Sequence, residues 1–472
     1  MPDRFKEQFD AINEASPRPL AYIPGDDPRF IYEKGTILAR GEDAAEVAEA
    51  IGARFERTAT RERAGLVRFQ TSDPGRHPTQ DHQVDDALAA VGGRRNGRTG
   101  AMMATRNHVI SITDTVCCPG DEPDPVPDGT PLNPAPSAPR LVEGLPVRVL
   151  VVDTGLVKDI DKTFSWLTGV TTDDPLEPER GLIDLYVGHG TFIASLIKTV
   201  APDATVEVDN LLPAQLSGAR PEDEFGDDLL AVLDALPGGW PDILSLSAGT
   251  DSADGDTLMG LERFIDRLAL ERTLLVAAAG NNGSTQRFYP AAWADRGDHV
   301  LSVGALRSAP GLLDACFTNH GSWVKVYAPG ERVTAAFTPM DDSPPVYRYQ
   351  HSSYPGRCRW LTPQDAYGTC TCQSPRRTGR RTLKDSGMSP ANADFQADLR
   401  TFTGLARWSG TSFATPIVAA MVVNEMIDTG NRDPREAART LIGKQALNAT
   451  VRGMPARALV PSGWQFFTYQ AP

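Results

Sequence analysis

The chain has 472 residues, 40% of them hydrophobic, with 42 Gly and 38 Pro, which is typical of a globular protein of about two to four domains with generous loops. Its formal net charge of -14 argues against non-specific binding to nucleic acid or to an acidic membrane surface. No run approaches the roughly eighteen apolar residues of a membrane-spanning helix.

The first residues, Met1 to Glu7, lack the apolar core of a secretory signal peptide. We therefore expect a cytoplasmic protein, or one exported by another route. Residues 1–33 read as a polar, weakly ordered lead-in.

Residues 34–116 predict a small α+β (ferredoxin-like) domain with a βαββαβ-like order of elements. Alternating or helical spacing of apolar residues predicts its members: strands at Gly35–Arg40, Gly65–Gln70 and Asn107–Ile112, and helices at Glu42–Arg54 and Val84–Val91. The residues alone leave the purpose of this domain open.

Residues 117–144 are rich in proline from Cys117 to Arg140. Proline fixes φ and removes a backbone donor, so this stretch predicts an extended linker rather than a packed element. It is also the natural place for a processing cut.

Residues 145–472 alternate strands and helices, which predicts an α/β domain with a doubly wound parallel sheet. The predicted strands and extended pieces are Val147–Val152, Thr205–Leu212, Asp242–Ser247, Thr273–Ala279, His299–Ala305 and Trp323–Ala328, and the predicted helices are His189–Val200, Asp227–Leu236, Leu258–Leu270 and Pro434–Ile442. Sheets of this kind place their sites beyond the carboxyl ends of strands.

Three short stretches carry chemistry in this domain. Asp153 ends a buried strand, His189 opens a helix, and Ser412 lies in a Gly-Thr-Ser turn before a long apolar helix in which Pro416 is expected in the first turn. Each residue has an ordinary structural interpretation when taken alone. Together, in the order Asp, His, Ser, they have the chain order of one of the known catalytic triads.

From about residue 145 to 430 the chain resembles the subtilisin-like serine proteases. The resemblance rests on Asp-Thr-Gly at 153–155, Gly-His-Gly-Thr at 188–191 and Gly-Thr-Ser-x-Ala-x-Pro at 410–416, supported by further matches at Leu246–Gly249, Ala277–Asn281, Tyr289–Ala291 and Phe317–Ser322. The small N-terminal domain is similar in its order of elements to the propeptide of that family. Such a propeptide packs on the protease, assists its folding and lays its end through the active-site cleft.

The resemblance implies roles for particular residues. Ser412 is expected as the nucleophile, His189 as the general base and acid, Asp153 as the partner of the histidine, and Asn281 as the oxyanion-hole amide. It also implies a substrate-binding set, which consists of Ser247, Ala248, Gly249, Ala278, Gly280 and Phe288.

Two phenylalanines bear on how far the family pattern applies, one beside the histidine motif and one at the primary pocket. Phe192 stands where the family usually has a second histidine outside the triad, which leaves activity unaffected. Phe288 lies where the family places the floor of the primary pocket, so we expect a shallow pocket that favours small side chains at the cleaved position. The alternative is that Phe288 turns into the core.

Residues near 339–404 read as an insertion before the nucleophile. The insertion contains three of the six cysteines and the basic run Arg376–Arg381, interpreted as a solvated loop, although a lid, a partner surface or a self-cleavage loop stays open. His351, Cys358, Cys370 and Cys372 could be read as a zinc set, although their spacing matches no standard finger. The even number and clustering of the cysteines would suit disulfides, whereas the missing signal peptide argues against an oxidising compartment, so the state of the cysteines stays open.

The sequence therefore predicts a serine endopeptidase made as a zymogen, with protein or peptide substrates and its own N-terminal domain as partners. No cofactor is expected. Members of the family often bind calcium, but no loop here supports a site. The rival hypothesis is a catalytically silent protease fold, held shut by its N-terminal domain and acting as a binding protein. A narrower rival is a maturation protease dedicated to one partner.

Overall fold

The chain forms an antiparallel N-terminal sheet and a larger, mainly parallel sheet, in the computed structural model from which the fold is taken. The structure describes residues 3–23, 30–52, 65–71, 82–97, 101–112, 122–140, 146–177, 181–252, 258–340, 347–350 and 399–467. Among the described residues, no helix has the length and apolar character needed to cross a membrane.

The N-terminal unit, residues 3–112, has two helices packed on an antiparallel sheet and one further helix before it. Its elements are α1 (Asp3–Ala15), β1 (Leu20–Tyr22), β2 (Ile31–Arg40), α2 (Ala44–Ile51), β3 (Leu66–Gln70), α3 (His82–Val91) and β4 (Ala104–Ile112). Strand β2 lies between β4 on one side and β1 and β3 on the other. The three predicted strands and two predicted helices are all present, in the order β-α-β-α-β.

The weakly ordered lead-in predicted for residues 1–33 was wrong for its described part. Helix α1 buries Phe9 and Ile12, which are 0% and 2% exposed, in one apolar cluster with Val109 of β4 and Ala219. The apolar positions in α1 are few and spaced at helical intervals among charged residues, so average polarity concealed one buried face.

The parallel-sheet domain, residues 146–467, carries the larger core. Its strands are β6 (Arg148–Val152), β7 (Thr205–Asp209), β8 (Ala219–Pro221), β9 (Ile243–Leu246), β10 (Ala248–Asp251), β11 (Leu274–Ala278), β12 (Phe288–Tyr289), β13 (Val300–Leu306), β14 (Val326–Pro329), β15 (Val333–Ala336), β16 (Tyr347–Gln350), β17 (Leu399–Phe402), β18 (Leu405–Trp408), β19 (Leu447–Val451) and β20 (Met454–Ala458). Its helices are α4 (Ile160–Thr163), α5 (His189–Val200), α6 (Glu222–Ala235), α7 (Glu262–Leu270), α8 (Thr411–Thr429) and α9 (Pro434–Gln445).

The main sheet has the strand order β19-β20-β14-β13-β11-β9-β6-β7, and every pair from β20 to β7 is parallel. The strands of its centre are buried throughout because helices cover both faces. The doubly wound parallel sheet predicted from the sequence is confirmed. Its strand order reverses beside β6, which carries Asp153 at its carboxyl end, where such sheets place their sites.

The proline-rich stretch predicted as an unpacked linker is in fact packed over its described part. Residues 124–125 form strand β5 (Asp124–Pro125), which pairs with β18. Asn133 exchanges hydrogen bonds with the backbone of Gln465, and Arg140 pairs with Asp203. Extended, proline-rich backbone still offers carbonyl oxygens and the N–H groups between prolines, so it can join a sheet edge.

Most of the insertion predicted at 339–404 lies outside the described residues, as do Cys117, Cys118, Cys358, Cys370, Cys372, His351 and Arg376–Arg381. Its described ends, β16 and β17, pair as a two-stranded antiparallel ribbon. Cys316 is the cysteine that falls within the described residues, and it is buried.

Candidate active site

Asp153 and His189 meet at the carboxyl end of β6 and the first residue of α5. The distance from His189 Nδ1 to Asp153 Oδ1 is 2.7 Å, and both side chains are at most 2% exposed. A carboxylate on Nδ1 leaves Nε2 as the nitrogen that faces outward from the pair, and it orients the ring. The pair is therefore arranged to use Nε2 in proton transfer.

Thr154 and Gly190 bring the two motifs together. Gly190 N–H donates to Thr154 Oγ1 at 3.2 Å, and Thr154 Oγ1 donates to the carbonyl of Tyr186 at 3.0 Å. A Cβ added to Gly190 would lie 2.5 Å from the carbonyl oxygen of Gly155. Only glycine therefore allows α5 to start this close to the strand end, which explains the sequence Gly-His-Gly.

Ser412 is the second residue of α8 and lies beside this pair. The ring of Phe413, its neighbour in the chain, packs against the His189 ring with centroids 5.3 Å apart. Ser412 is 2% exposed, so its side chain is shielded in this structure. The segments that carry Asp153, His189 and Ser412 thus meet in one region of the fold.

Pro416 explains which contact the backbone carbonyl of Ser412 makes. It is the sixth residue of α8 and so lies in the second turn, not the first turn as expected. Proline lacks the N–H that would bond to the carbonyl four residues earlier, which is that of Ser412. Ser247 Oγ donates to this carbonyl at 2.9 Å instead. Because the Ser412 carbonyl lacks its helical partner, it bonds to Ser247 and so joins α8 to the end of β9.

Asn281 lies at the carboxyl end of β11 with its amide group fixed by the residue before the serine. Its Oδ1 accepts hydrogen bonds from the N–H and from Oγ1 of Thr411, both at 2.8 Å. Thr411 Oγ1 in turn accepts from Gly280 N–H at 3.2 Å. With Oδ1 engaged in this way, the amide presents Nδ2 as its donor end, which is the group needed to bind developing negative charge.

An aromatic shell around His189 was missed by the sequence analysis. Trp408 meets the imidazole edge-on at 5.1 Å, and Phe192 packs on Trp408 at 5.8 Å and on Phe413 at 4.7 Å. Phe192, noted as a departure from the family pattern, is 0% exposed. It therefore supports the rings that surround the histidine and does not enter the polar pair.

Strand β10, with Ala248 and Gly249, is paired with an element of the N-terminal unit. The last residues of β4 run antiparallel to it, with Ser111 opposite Gly249 and Ile112 opposite Ala248. On its other side β4 pairs with β8. An extended segment thus lies between two strand edges and points toward Ser247, the residue that contacts Ser412.

The ring of Phe288 lies between Gly249 and Gly280. A Cβ added to Gly249 would lie 2.5 Å from Phe288 Cε1, and one added to Gly280 would lie 2.9 Å from Phe288 Cγ. Phe288 is 5% exposed and belongs to the main core cluster. Ala278 is fully buried at the end of β11. The space between the two glycines is therefore filled by an aromatic ring.

Ion pairs join the N-terminal unit to the parallel-sheet domain beside β4. Arg68 contacts Asp223 at 2.5 and 2.7 Å, and Arg40 contacts Glu262 at 2.6 and 2.8 Å. Burial alone would raise the pKa of Asp223, but the Arg68 guanidinium outweighs it and holds that pKa below its usual value. Acidic groups of one unit thus face cations of the other.

A buried carboxylate extends this interface. Glu222, at the start of α6, accepts hydrogen bonds from His108 N–H and from Gly260 N–H, each at 3.1 Å, and lies 3.0 Å from His108 Nδ1. Burial raises the pKa of Glu222, and the contacts with His108 partly oppose that rise.

No group of three or more His, Cys, Asp or Glu side chains within the described ranges is arranged to hold a metal ion.

Comparison with known proteins places this site in a family. The family model described as "Subtilase family" matches residues 147–457. A "Thermophilic serine proteinase" from Bacillus sp. (strain AK1) is 29% identical over 197 residues, covering 40% of this chain and 45% of that protein. An "Intracellular serine protease" from Paenibacillus polymyxa is 27% identical over 225 residues, covering 44% of this chain and 64% of that protein. The matches thus span about half to two thirds of these curated relatives.

One solved structure resembles the chain over nearly its whole length. It is the structure of fervidolysin from Fervidobacterium pennivorans, described as a keratinolytic enzyme related to subtilisin. The match covers 95% of this chain and 63% of the fervidolysin chain, with a TM-score of 0.51 and 15% sequence identity. At this identity the likeness concerns the fold.

Proposed function

The chain belongs to the subtilase family, and from that premise we propose that it is a serine endopeptidase that hydrolyses peptide bonds through an acyl-enzyme. The observation that carries the proposal is the buried Asp153–His189 hydrogen bond of 2.7 Å beside the helix end that bears Ser412. Side chains of three distant segments supply a nucleophile, a base and an orienting acid within one site.

In the proposed reaction Ser412 Oγ attacks the scissile carbonyl while His189 Nε2 takes its proton. The oxyanion is stabilised by Asn281 Nδ2 and by the N–H of Ser412, and Asp153 stabilises the imidazolium. The C–N bond then breaks as His189 gives the proton to the leaving amine. A water molecule, deprotonated by the same histidine, hydrolyses the ester and restores the serine.

We propose that Ser247, Ala248 and Gly249 bind the substrate backbone as an added strand. The pairing of β4 with Ala248 and Gly249 supports this, because it places an extended chain along the same edge. Ala278, Gly280 and Phe288 border the space next to the cleaved position. Since the Phe288 ring fills the gap between the two glycines, the proposed pocket accepts small side chains.

We propose that the N-terminal unit is a propeptide-like inhibitor of its own peptidase. Its strand β4 occupies the track that a substrate would use, and Arg40 and Arg68 pair with acidic residues beside that track. A substrate and β4 therefore compete for the same backbone groups.

A processing cut between Ile112 and Glu122 would free the inhibitor. The cut proposed from the sequence fell in the proline-rich stretch, but residues 122–140 pack on the parallel-sheet domain and belong with it. Mass spectrometry of the purified protein tests this placement. A fully active chain that keeps its intact mass would contradict maturation at this point.

A fluorophosphonate probe tests the proposed activity, because it reacts only with a serine activated by its neighbours. We expect labelling of the wild-type chain at Ser412, no labelling of Ser412→Ala, and loss of peptide hydrolysis in the same variant. Thr429→Ala is the control, since Thr429 Oγ1 makes a bond to the helix backbone at the opposite end of α8. If the wild type is unreactive both intact and after removal of the N-terminal unit, the chain is a silent, locked protease fold instead.

A further inference from the structure

The insertion before Ser412 is anchored in the core of the parallel-sheet domain. Its described ends, β16 and β17, pair antiparallel, with Tyr347 opposite Phe402. Both side chains belong to the main core cluster, and Phe402 is 0% exposed. The base of the ribbon is therefore part of a close-packed interior, in which a change in one side chain is felt by its neighbours.

Phe337 connects the base of the ribbon to the sheet. Its ring packs on that of Phe402 with centroids 4.7 Å apart. The N–H groups of Phe337 and Thr338 both donate to the carbonyl of Gly404, at 2.9 and 3.0 Å, and Gly404 N–H donates to Thr338 Oγ1 at 3.3 Å. These hydrogen bonds fix the chain that leaves β15 against the chain that enters β18, and so they fix the position of the Phe337 ring.

Two contacts lead from Phe337 to the histidine. The Phe337 ring meets Trp408 edge-on at 5.7 Å, and Trp408 meets the imidazole of His189 edge-on at 5.1 Å. A Cβ added to Gly188, the residue before His189, would lie 2.8 Å from Phe337 Cδ2. The Phe337 ring therefore packs directly on the backbone at which α5 begins, and it reaches the imidazole through one further ring.

His189 needs such contacts because the hydrogen bond from Asp153 fixes Nδ1 and leaves the rest of the ring to its surroundings. The second side-chain torsion of histidine is broad and has no sharp rotamer preference, so the imidazole can tilt about this bond unless neighbouring rings restrict it. A displacement of about 1 Å at a reacting group can lower the rate about a hundredfold. The packing around the ring thus determines where Nε2 lies during proton transfer.

We infer that Phe402 and Phe337 are positioning residues for His189, so that the ribbon at the base of the insertion is coupled to the proposed proton transfer. This inference rests on the proposed peptidase function and adds residues that lie outside the three sequence motifs. Phe402 acts through Phe337, and Phe337 acts through Trp408 and Gly188. Loosening the base of the ribbon then lets the imidazole tilt, while β10 keeps its place along the substrate track.

The kinetic test compares Phe402→Ala, Phe402→Leu and Phe264→Ala with the wild type, each as the full-length chain. Phe264→Ala is the matched control, because the Phe264 ring is also 0% exposed but stacks on Trp240. Trp240 precedes the amino end of β9 and so lies at the opposite end of the sheet from the candidate site. Hydrolysis of a fluorogenic peptide with Ala at the cleaved position is expressed per serine that the fluorophosphonate probe labels.

We expect Phe402→Ala to lower kcat about tenfold and to change KM less than about threefold, because the reacting groups lose their geometry and the substrate track does not. Phe402→Leu retains most of the buried volume and should restore kcat to within about twofold of the wild type. Phe264→Ala should lower the melting temperature by a similar amount and leave kcat unchanged. If Phe402→Ala does not melt cooperatively, the smaller truncation Phe402→Val takes its place.

A second measurement does not depend on catalysis. In the full-length Ser412→Ala chain, the proton of the hydrogen bond between His189 Nδ1 and Asp153 is followed by its downfield proton NMR resonance. The absence of this resonance from His189→Gln in the same background assigns it. We expect Phe402→Ala to shift and broaden the resonance, and Phe264→Ala to leave it unchanged.

The two measurements separate the inference from the proposed function. An equal loss of kcat in Phe402→Ala and Phe264→Ala, or an unchanged resonance in Phe402→Ala, would overturn the inference and leave the peptidase intact. A wild-type chain that is neither labelled nor active would overturn the proposed function. In that case the resonance alone decides the positioning role, which a shift in Phe402→Ala supports and an unchanged signal overturns.

Discussion

At the scale of single residues, small and special side chains determine the geometry of the site more than the charged ones do. Gly190 lets the histidine helix approach the aspartate strand, and Pro416 leaves the carbonyl of Ser412 to Ser247. Thr411 holds the carbonyl end of the Asn281 amide. Each residue thereby fixes the position of one candidate site group, and fixed orientation is what the proposed chemistry requires.

Phe288→Ala tests the proposed pocket. Removing the ring opens the space between Gly249 and Gly280, so we expect peptides with Phe or Leu at the cleaved position to gain at least tenfold in kcat/KM relative to the Ala peptide. A profiling library measures this for the wild type, for Phe288→Ala and for the conservative control Phe288→Leu. Preference of the wild-type enzyme for Phe or Tyr at that position would contradict the shallow pocket.

Asp209→Asn tests whether the ionised carboxylate of Asp209, at the end of β7, destabilises the folded chain. Burial, together with the negative charges of Glu207 and Asp173, raises the pKa of Asp209 to about 6. The folded chain then holds this proton more tightly than the unfolded chain, so stability falls as the pH rises from about 4 to about 6 and stays lower above it. We expect Asp209→Asn to raise the free energy of unfolding by on the order of 1 kcal/mol at pH 8 and by a small fraction of that at pH 4.

Urea unfolding at the two pH values measures this, in a Ser412→Ala background that prevents self-digestion. Asp161→Asn, at an exposed carboxylate, serves as the control and should change neither value noticeably. An equal effect of Asp209→Asn at pH 4 and pH 8 would mean that ionisation is not its cause.

At the scale of elements, α1 adds a contact that lies outside the predicted propeptide-like unit. Its buried residues Phe9 and Ile12 pack on Ala219 of β8, and Gln8 Nε2 donates to the hydroxyl of Tyr186 at 2.5 Å. Tyr186 in turn borders both Ile112 and His189. The helix thereby packs on the face that β8 shares with β4, since Val109 of β4 belongs to the same cluster.

Ile12→Ala tests whether α1 supports the seated strand. Truncating a fully buried isoleucine typically costs about 2–5 kcal/mol, so we expect faster hydrogen exchange in α1 and in β4 within a Ser412→Ala chain. Glu14→Ala, on the exposed side of the same helix, should leave both unchanged. If exchange rises in α1 alone, the helix is not coupled to the occupied track.

At the scale of the whole molecule, the N-terminal unit and the parallel-sheet domain meet at two features. One is the charged seam, which consists of the ion pairs of Arg40 and Arg68, and the other is strand β4, which pairs with strands of both units. The main core cluster contains Ile110 and Ile112, whereas the rest of the N-terminal unit has its own cluster around Tyr32, Phe69 and Val84. Backbone pairing of β4, the apolar contacts of α1 and the pairs made by Arg40 and Arg68 hold the units together. The junction therefore combines backbone pairing, apolar contacts and ion pairs.

Arg68→Ala tests the seam. Asp223 has a side chain that is only 2% exposed, so losing its guanidinium partner leaves a buried charge poorly compensated and weakens the junction. In a chain that keeps Ser412, we expect Arg68→Ala to react several-fold faster with the fluorophosphonate probe than the wild type does. In the Ser412→Ala chain, we expect Arg68→Ala to lower the exchange protection of β4. Arg94→Ala is the matched control, because Arg94 pairs with Glu46 within the N-terminal unit and is 52% exposed. Equal labelling rates of the two variants would show that the Arg68 pair does not hold the N-terminal unit in place.

The sequence by itself determined the family and the parallel-sheet domain, and it named the candidate site residues, because apolar spacing and short motifs are local properties of the chain. The helix at His189–Val200 was predicted to the residue, and most strands within one or two residues. Only the tertiary structure decided what α1 and the proline-rich stretch pack against, which group bonds to the carbonyl that Pro416 releases, and where β4 lies. Those features depend on backbone hydrogen bonds and on contacts between segments more than a hundred residues apart, such as Arg68 with Asp223. Backbone groups are the same in every residue, so no pattern of side chains along the chain records their partners.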